Sequence, residues 1–151
     1  MNPFFIERQK LQCEIMIYKV TKEFEKDLKR LIKKYSSLEQ DLETLKKYGI
    51  DLFHENINAN AIVKIEGMCQ PPYIAYKVRK IACRSLKNRG NQSGLRLIYI
   101  FDEMKKIITL VELYAKSEKG VEDKGRLKRE IEFLKKLGNS SSVICPPDGE
   151  V

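Results

Sequence analysis

The chain has 151 residues, 42% of them hydrophobic, which is enough for one domain around a single core. Its net charge is +8, and no apolar run approaches the ~20 residues of a membrane span, so we expect a soluble, cytoplasmic protein without a membrane partner. Its four cysteines form no C-x-x-C pair, and one histidine cannot complete a zinc site with them, so we expect no metal or other cofactor.

The first part of the chain predicts a strand followed by a helical hairpin. β-forming residues place the strand near 12–20, and apolar residues at helical spacing place the hairpin over 22–49. Thr21 is suited to cap the first helix, and Gly49 to end the second. The predicted core stripes are Phe24, Leu28, Leu31, Ile32 and Tyr35 in the first helix and Leu38, Leu42, Leu45 and Tyr48 in the second.

The second part predicts a sheet followed by a helix. The sheet spans 73–115 as sequential, closely spaced strands at Tyr73–Ala82, Leu95–Phe101 and Ile107–Tyr114, which favours an antiparallel meander. A further short strand is expected near 62–65. An amphipathic helix follows over 124–137 and ends at Gly138, and 138–151 has the composition of a flexible tail.

These elements predict an α+β fold in a single domain, 1–137. Two N-terminal helices would pack on a twisted antiparallel sheet of about four strands, and the C-terminal helix would complete the domain.

Residues 67–101 contain seven basic residues and no Asp or Glu, whereas charges are mixed elsewhere. A sheet with a positive surface of one sign suits a polyanion, of which nucleic acid is the commonest, although basic residues also serve solubility. Because alternate strand residues share a face, we expect Lys77 and Arg79 to lie together, and Arg96 to add a third cation from the next strand.

Four motifs, in this order, resemble the RelE/HigB-like toxins of type II toxin–antitoxin systems, within the RelE/ParE superfamily. They are 21–28 (TKEFEKDL) followed by 33–35 (KKY), 76–79 (YKVR), 93–99 (SGLRLIY) and 113–119 (LYAKSEK). The resemblance covers about 18–135 and implies a RelE-like fold with two helices on one face of a twisted antiparallel sheet.

The resemblance also implies a function and partners. Most members of this family are ribosome-dependent mRNA endoribonucleases (mRNA interferases) that act without a metal and are neutralised by a cognate antitoxin protein. We therefore expect an antitoxin, the ribosome and mRNA as partners. Two alternatives stay open: a gyrase-inhibiting toxin of the same superfamily, and a homologue that binds RNA without cleaving it.

Carried over by the motifs, the expected catalytic residues are Lys77, Arg79, Arg96 and Lys116. Arginine binds two phosphate oxygens at once, so Arg96 is the expected phosphate clamp. Lys77 could act as a base if neighbouring cations lowered its pKa, with Arg79 stabilising charge. The residues expected to contact RNA or the ribosome are Arg84, Lys87, Arg89, Lys119 and Tyr99.

The chain departs from the family pattern in its supply of a general acid. Many members have a Tyr or His near the C-terminal end, and this chain has neither after Lys119. His54 and Tyr114 remain open as functional or purely structural side chains. The general acid is therefore unassigned from the sequence.

Overall fold

The structure, a computed structural model, describes residues 16–55, 61–86 and 93–148, with side chains as far as residue 138. The strands are β1 (Ile17–Val20), β2 (Ile62–Gln70), β3 (Tyr73–Val78), β4 (Leu95–Asp102) and β5 (Ile107–Ala115). The helices are α1 (Lys22–Ile32), α2 (Leu38–Leu45), α3 (Asp51–His54) and α4 (Lys124–Asp148), with a π-helical turn at Lys46–Ile50 between α2 and α3. None of the described helices combines the length and apolarity required to cross a bilayer.

The sheet has five strands in the order β1-β5-β4-β3-β2. Strands β2 to β5 form the predicted antiparallel meander, but β1 pairs with β5 in parallel, with Ile17 opposite Ile107. The prediction of a purely antiparallel sheet of about four strands is therefore wrong. The helices connect β1 to β2, which lies at the opposite edge of the sheet, so only the last strand of the meander, β5, lies next to β1. Local composition does not indicate this pairing.

Strand β2, at Ile62–Gln70, is longer than the short strand expected near 62–65. Gly67 has a positive φ of 79°, and the pairing of β2 with β3 shifts register between Lys64 and Cys69. A glycine tolerates this backbone conformation at no steric cost. The irregularity interrupts the alternation of apolar residues, which is why the sequence indicates only a short strand here.

Helix α1 is capped as its sequence predicts. The Thr21 Oγ1 accepts a hydrogen bond of 3.1 Å from the Phe24 N–H, and Glu23 and Glu25 occupy the first turn. Phe24 and Leu31 are buried against the sheet. The cap and the acidic first turn satisfy the free N–H groups and the positive end of the helix dipole.

The second helical stripe is predicted correctly only as far as Leu45. Leu38 and Leu42 are buried, but Tyr48 is 67% exposed, and Ile50 is fully buried in its place. Each helical residue advances by about 100°, so the extra residue that a π turn inserts rotates the following side chains to a new face. The turn at Lys46–Ile50 thereby moves Tyr48 out of the core.

Helix α4 continues through Gly138, where the sequence predicts its end. The Tyr73 hydroxyl donates a 3.1 Å hydrogen bond to the Leu134 carbonyl, and a Cβ at Gly138 would lie 3.1 Å from that hydroxyl. An interior glycine destabilises a helix by about 1 kcal/mol, which does not end it. At this position glycine gives Tyr73 room to approach the helix.

The core has two parts, one on each side of the sheet. Alternating strand residues such as Tyr76, Leu97 and Tyr99 pack against α1 and α2. Ala75 and Ile98, of the opposite parity, pack with others against α4. The helices therefore enclose the sheet from both faces, and strand alternation places Lys77, Arg96 and Glu112 on the α4 side.

Candidate nucleic-acid interface

Two neighbouring rows of side chains on the α4 side of the sheet define the site. In the first row, Lys77 of β3 pairs with Ile98 of β4, which pairs with Glu112 of β5. In the second, Arg96 of β4 pairs with Tyr114 of β5. Directly paired residues share a face, so Lys77 and Arg96 lie on the same side of the sheet, as predicted.

Arg96 is held in place by backbone carbonyls rather than by an acid. Its Nη1 donates hydrogen bonds of 2.7 Å to the Arg79 carbonyl and 3.2 Å to the Leu95 carbonyl. Among the residues that the structure describes, Arg96 forms no ion pair. Its guanidinium is therefore oriented while its charge stays available to an anion.

Arg79 and Lys116 add two exposed cations beside Arg96. Arg79 directly follows β3, and its N–H donates to the Ala61 carbonyl at 2.8 Å. Lys116 directly follows β5, and its N–H donates to the Gly94 carbonyl at 2.7 Å. Neither side chain pairs with an acid within the described ranges, so the positive charge here is not neutralised internally.

Lys77 differs from the other three, because its Nζ lies 2.7 Å from Oε1 of Glu122. Burial acts to raise the pKa of Glu122, but the Lys77 partner and the backbone N–H of Glu122 outweigh it and hold that pKa below its usual value. Glu122 is therefore ionised at neutral pH. The nearest charged group to Lys77 is an anion, so the crowding by cations expected to make it a base is absent.

Glu112 anchors the first turn of α4 to the sheet. It is 1% exposed, accepts a 2.9 Å hydrogen bond from the Asp123 N–H, and is also bonded by Lys119. Arg126 lies 3.8 Å from Glu112 and 3.1 Å from Asp27 of α1. This network joins β5, α1 and α4 behind the exposed cations.

Tyr114 lies under Lys119, whose Nζ is 5.2 Å from the ring centroid. Burial raises the pKa of Tyr114 to about 12, and the nearby Glu122 and Glu112 add to the rise. Its hydroxyl therefore keeps its proton at neutral pH. Lys119 is occupied by Glu112, so it is less available to RNA than the sequence predicts.

The remaining predicted contacts with RNA lie elsewhere. Arg84 is exposed on the segment after β3, with its Nε 3.8 Å from Asp41. Lys87 and Arg89 lie outside the described residues. Tyr99 is fully buried on the opposite face, where its hydroxyl is 2.8 Å from Nε2 of His54. The prediction that Tyr99 stacks on a base is therefore wrong, because Tyr99 follows Ile98 and points into the α1–α2 core.

His54 belongs to the core on the side of α1 and α2. Its ring stacks on Phe101 at 3.9 Å between centroids, and the ring of Tyr76 packs edge-on at 5.0 Å. Burial lowers the pKa of His54 to about 4, and the charge of Lys106 adds to this. A neutral imidazole that bonds Tyr99 is a structural group, and it is remote from the cations of the site.

We expect the stability of the fold to fall as the pH drops from about 6.5 to about 4. In this window the unfolded chain, with an ordinary histidine pKa, binds a proton that folded His54 does not, so protonation favours unfolding. Allowing for the partial exposure of His54, the loss is about 2 kcal/mol. Urea unfolding across this range measures it, and His54→Gln should remove this component of the slope. An unchanged slope in that variant would contradict the assignment.

Glu112, Glu122 and Arg126 shape the site, although sequence reasoning missed them. Glu112 gives a signal, since it is a single acid within the apolar run 107–115. Arg126 gives a weaker one, because a cation in the first turn of a helix opposes the dipole. Glu122 gives no such sequence signal, because it lies in the polar loop between β5 and α4, where acidic residues are common. No cluster of three metal-ligating side chains occurs in the part of the chain that the structure covers.

No protein-family model and no curated protein matches this sequence. Two solved structures are similar to part of the chain. The archaeal RelE–RelB complex from Pyrococcus horikoshii OT3 is 18% identical, with a TM-score of 0.42, over 67% of this chain and 94% of that one. The conserved hypothetical protein HP0892 from Helicobacter pylori is 24% identical, with a TM-score of 0.41, over 69% and 98%. Similarity at this level says nothing about activity, which must be inferred from the chain's own residues.

Proposed function

We propose that this chain is the toxin component of a type II toxin–antitoxin module and acts as a ribosome-dependent mRNA endoribonuclease in the cytoplasm. A cognate antitoxin would neutralise it. The observation that carries this proposal is the guanidinium of Arg96, which two carbonyls orient, which has no carboxylate partner within the described residues, and which lies beside Arg79 and Lys116. An oriented and uncompensated arginine suits a phosphodiester.

RNA cleavage without a metal needs groups of this kind together with a proton acceptor for the 2′-hydroxyl and a proton donor for the leaving 5′-oxygen. The 2′-hydroxyl loses its proton and attacks the adjacent phosphorus, the bond to the 5′-oxygen breaks, and that oxygen takes up a proton from water, so the products are a 2′,3′-cyclic phosphate and a 5′-hydroxyl end. Arg96 would bind the phosphate, and Arg79 would stabilise the charge that develops on its oxygens. Lys116 would hold the neighbouring backbone.

Lys77 is the side chain best placed to take the proton of the 2′-hydroxyl, but it is bound to Glu122. A phosphate on Arg96 would compete with the Glu122 carboxylate for the same ammonium group. Cleavage would therefore require bound RNA to separate Lys77 from Glu122 and the freed ammonium group to release a proton to solvent, so this ion pair would inhibit the reaction.

A homologue that binds RNA without cleavage is the second candidate. The observation that favours it is that Lys77 is neutralised by Glu122 and that Tyr114 is 2% exposed. In this arrangement Tyr114 is buried and the Lys77 side chain is only 21% exposed. Such a protein would show salt-dependent binding to RNA with no cleavage when ribosomes are present.

Controlled expression of the chain in growing bacteria tests the proposal. We expect growth arrest, relief by the small protein encoded beside the chain, and mRNA fragments that end in a cyclic phosphate. DNA damage signalling without mRNA fragments would indicate the gyrase-inhibiting alternative. Intact mRNA on translating ribosomes, together with measurable RNA binding, would indicate the non-catalytic candidate.

Glu122→Gln is expected to strengthen RNA binding, because it frees the charge of Lys77 while preserving the shape of the side chain. The dependence of log affinity on log salt should steepen by about 0.7 for one added contact to single-stranded RNA. The matched control is Glu118→Gln, which changes the net charge equally but releases Arg30 on the α1 surface. Equal gains in RNA affinity in the two variants would show that only net charge matters. That result would contradict an inhibitory role for the Lys77–Glu122 ion pair.

A further inference from the structure

We propose that the groove between the π turn and the segment after β3 binds one unpaired nucleotide of single-stranded RNA. The base would stack on Tyr48, and Lys80 and Arg84 would hold its phosphates. This proposal rests on the proposed action on RNA and extends it to a second subsite, on the opposite side of the sheet from Arg96.

The first observation is that the π turn, rather than the core pattern, exposes Tyr48. The apolar stripe would bury this side chain, yet it is 67% exposed, while Ile50 fills the core. π turns are rare and occur frequently at functional sites. A Cβ at Gly49 would lie 2.8 Å from the Leu45 side chain, so glycine leaves room for that side chain.

The second observation is the charge of the groove that Tyr48 borders. It has a volume of about 240 Å³ and is lined by Tyr48, Lys80, Arg84 and Asp41, among others. Its acid is internally satisfied, because Asp41 accepts hydrogen bonds from the Ser37 hydroxyl at 2.6 Å and the Arg84 N–H at 3.1 Å. Two exposed cations and one exposed aromatic ring therefore face an incoming ligand.

This combination selects single-stranded nucleic acid. An aromatic ring stacks on any unpaired base, and neighbouring cations track the backbone, whereas the bases of a duplex are already stacked on one another. The groove offers one ring, so it fits one base. The Arg84 N–H donates to Asp41 and the Ser85 N–H donates to the Ser37 hydroxyl, so the segment after β3 is held against α2, which fixes the distance between the ring and the cations.

The groove continues the path of an RNA strand that leaves the proposed cleavage site. Arg79 and Lys80 are adjacent residues, with Cα atoms about 3.8 Å apart. Arg79 lies beside Arg96 on one side of the sheet, and Lys80 lines the groove on the other. A strand that passes around the end of β3 would contact both in succession.

Binding of a non-cleavable, 2′-O-methyl single-stranded oligonucleotide tests the subsite directly. Tyr48→Ala should weaken binding by about tenfold, within the range known for loss of one base stack, while Tyr48→Phe should bind like the parent. Phe133→Ala is the matched control, since Phe133 is also an exposed ring (55%) but lies on α4. Duplex RNA should bind equally to all four proteins.

A second readout uses the absence of tryptophan from the chain. Tyr48→Trp introduces a single tryptophan, and its emission should be quenched by the single-stranded oligonucleotide but not by duplex RNA. Equal affinities of Tyr48→Ala and the parent, or emission that RNA leaves unchanged, would overturn the subsite. If Arg96→Ala weakens binding and Tyr48→Ala does not, only the subsite fails. If neither variant weakens binding, the proposed function fails with it.

Discussion

Arg96→Ala is expected to abolish toxicity and to slow mRNA cleavage by about 10²- to 10³-fold, the loss typical when one pre-positioned donor is removed from a charged transition state. The guanidinium is fixed by the carbonyls of Arg79 and Leu95, and its removal would take away the one donor that these bonds orient. Fragment yield from ribosome-bound mRNA measures the effect.

Two variants control for charge and for folding. Arg96→Lys keeps the charge but loses the planar fork, and should recover only a small part of the activity. Lys105→Ala removes an equal charge from the turn after β4, at the opposite end of that strand, and should remain toxic. A toxic, well-expressed Arg96→Ala protein would rule out Arg96 as the phosphate clamp and leave the nuclease proposal without support.

The helices and strands were largely predictable because each must bury one side. Phe24 and Leu31 fall on the stripe that α1 buries, and the capping of that helix follows from Thr21 alone. The exposure of Tyr48 is not predictable from the apolar spacing, because the single residue inserted by the π turn rotates the side chains that follow it to a new face. The parallel pairing of β1 with β5 is not predictable either, because the composition of β1 does not depend on which strand lies beside it.

The sequence predicts which face of the sheet carries the cations of the candidate site, but it does not predict which residues pair with them. Alternation along β3 and β4 places Lys77 and Arg96 on one face, as expected, because the pleat dictates it. The same rule places Tyr99 on the other face, away from these cations. The pairing of Lys77 with Glu122 depends on how α4 packs on the sheet, and no local sequence pattern predicts the orientation of that helix.

The buried network behind the site leads to the second large effect. Arg126→Met is expected to lower the free energy of unfolding by about 3 kcal/mol, because it leaves Glu112 and Asp27 partly unpaired in the interior. That loss is a large share of the 5–15 kcal/mol that typically stabilises a domain. Urea unfolding at pH 7 measures it.

Lys119→Met provides the comparison, since it removes another partner of the same carboxylate. Its side chain is 42% exposed, and Glu112 would keep Arg126 and the Asp123 N–H, so we expect a loss of about 1 kcal/mol or less. Combining Arg126→Met with Glu112→Gln should cost less than the sum of the two single changes, because the neutral amide no longer needs a cation. Additive losses would show that Arg126 and Glu112 are not energetically coupled.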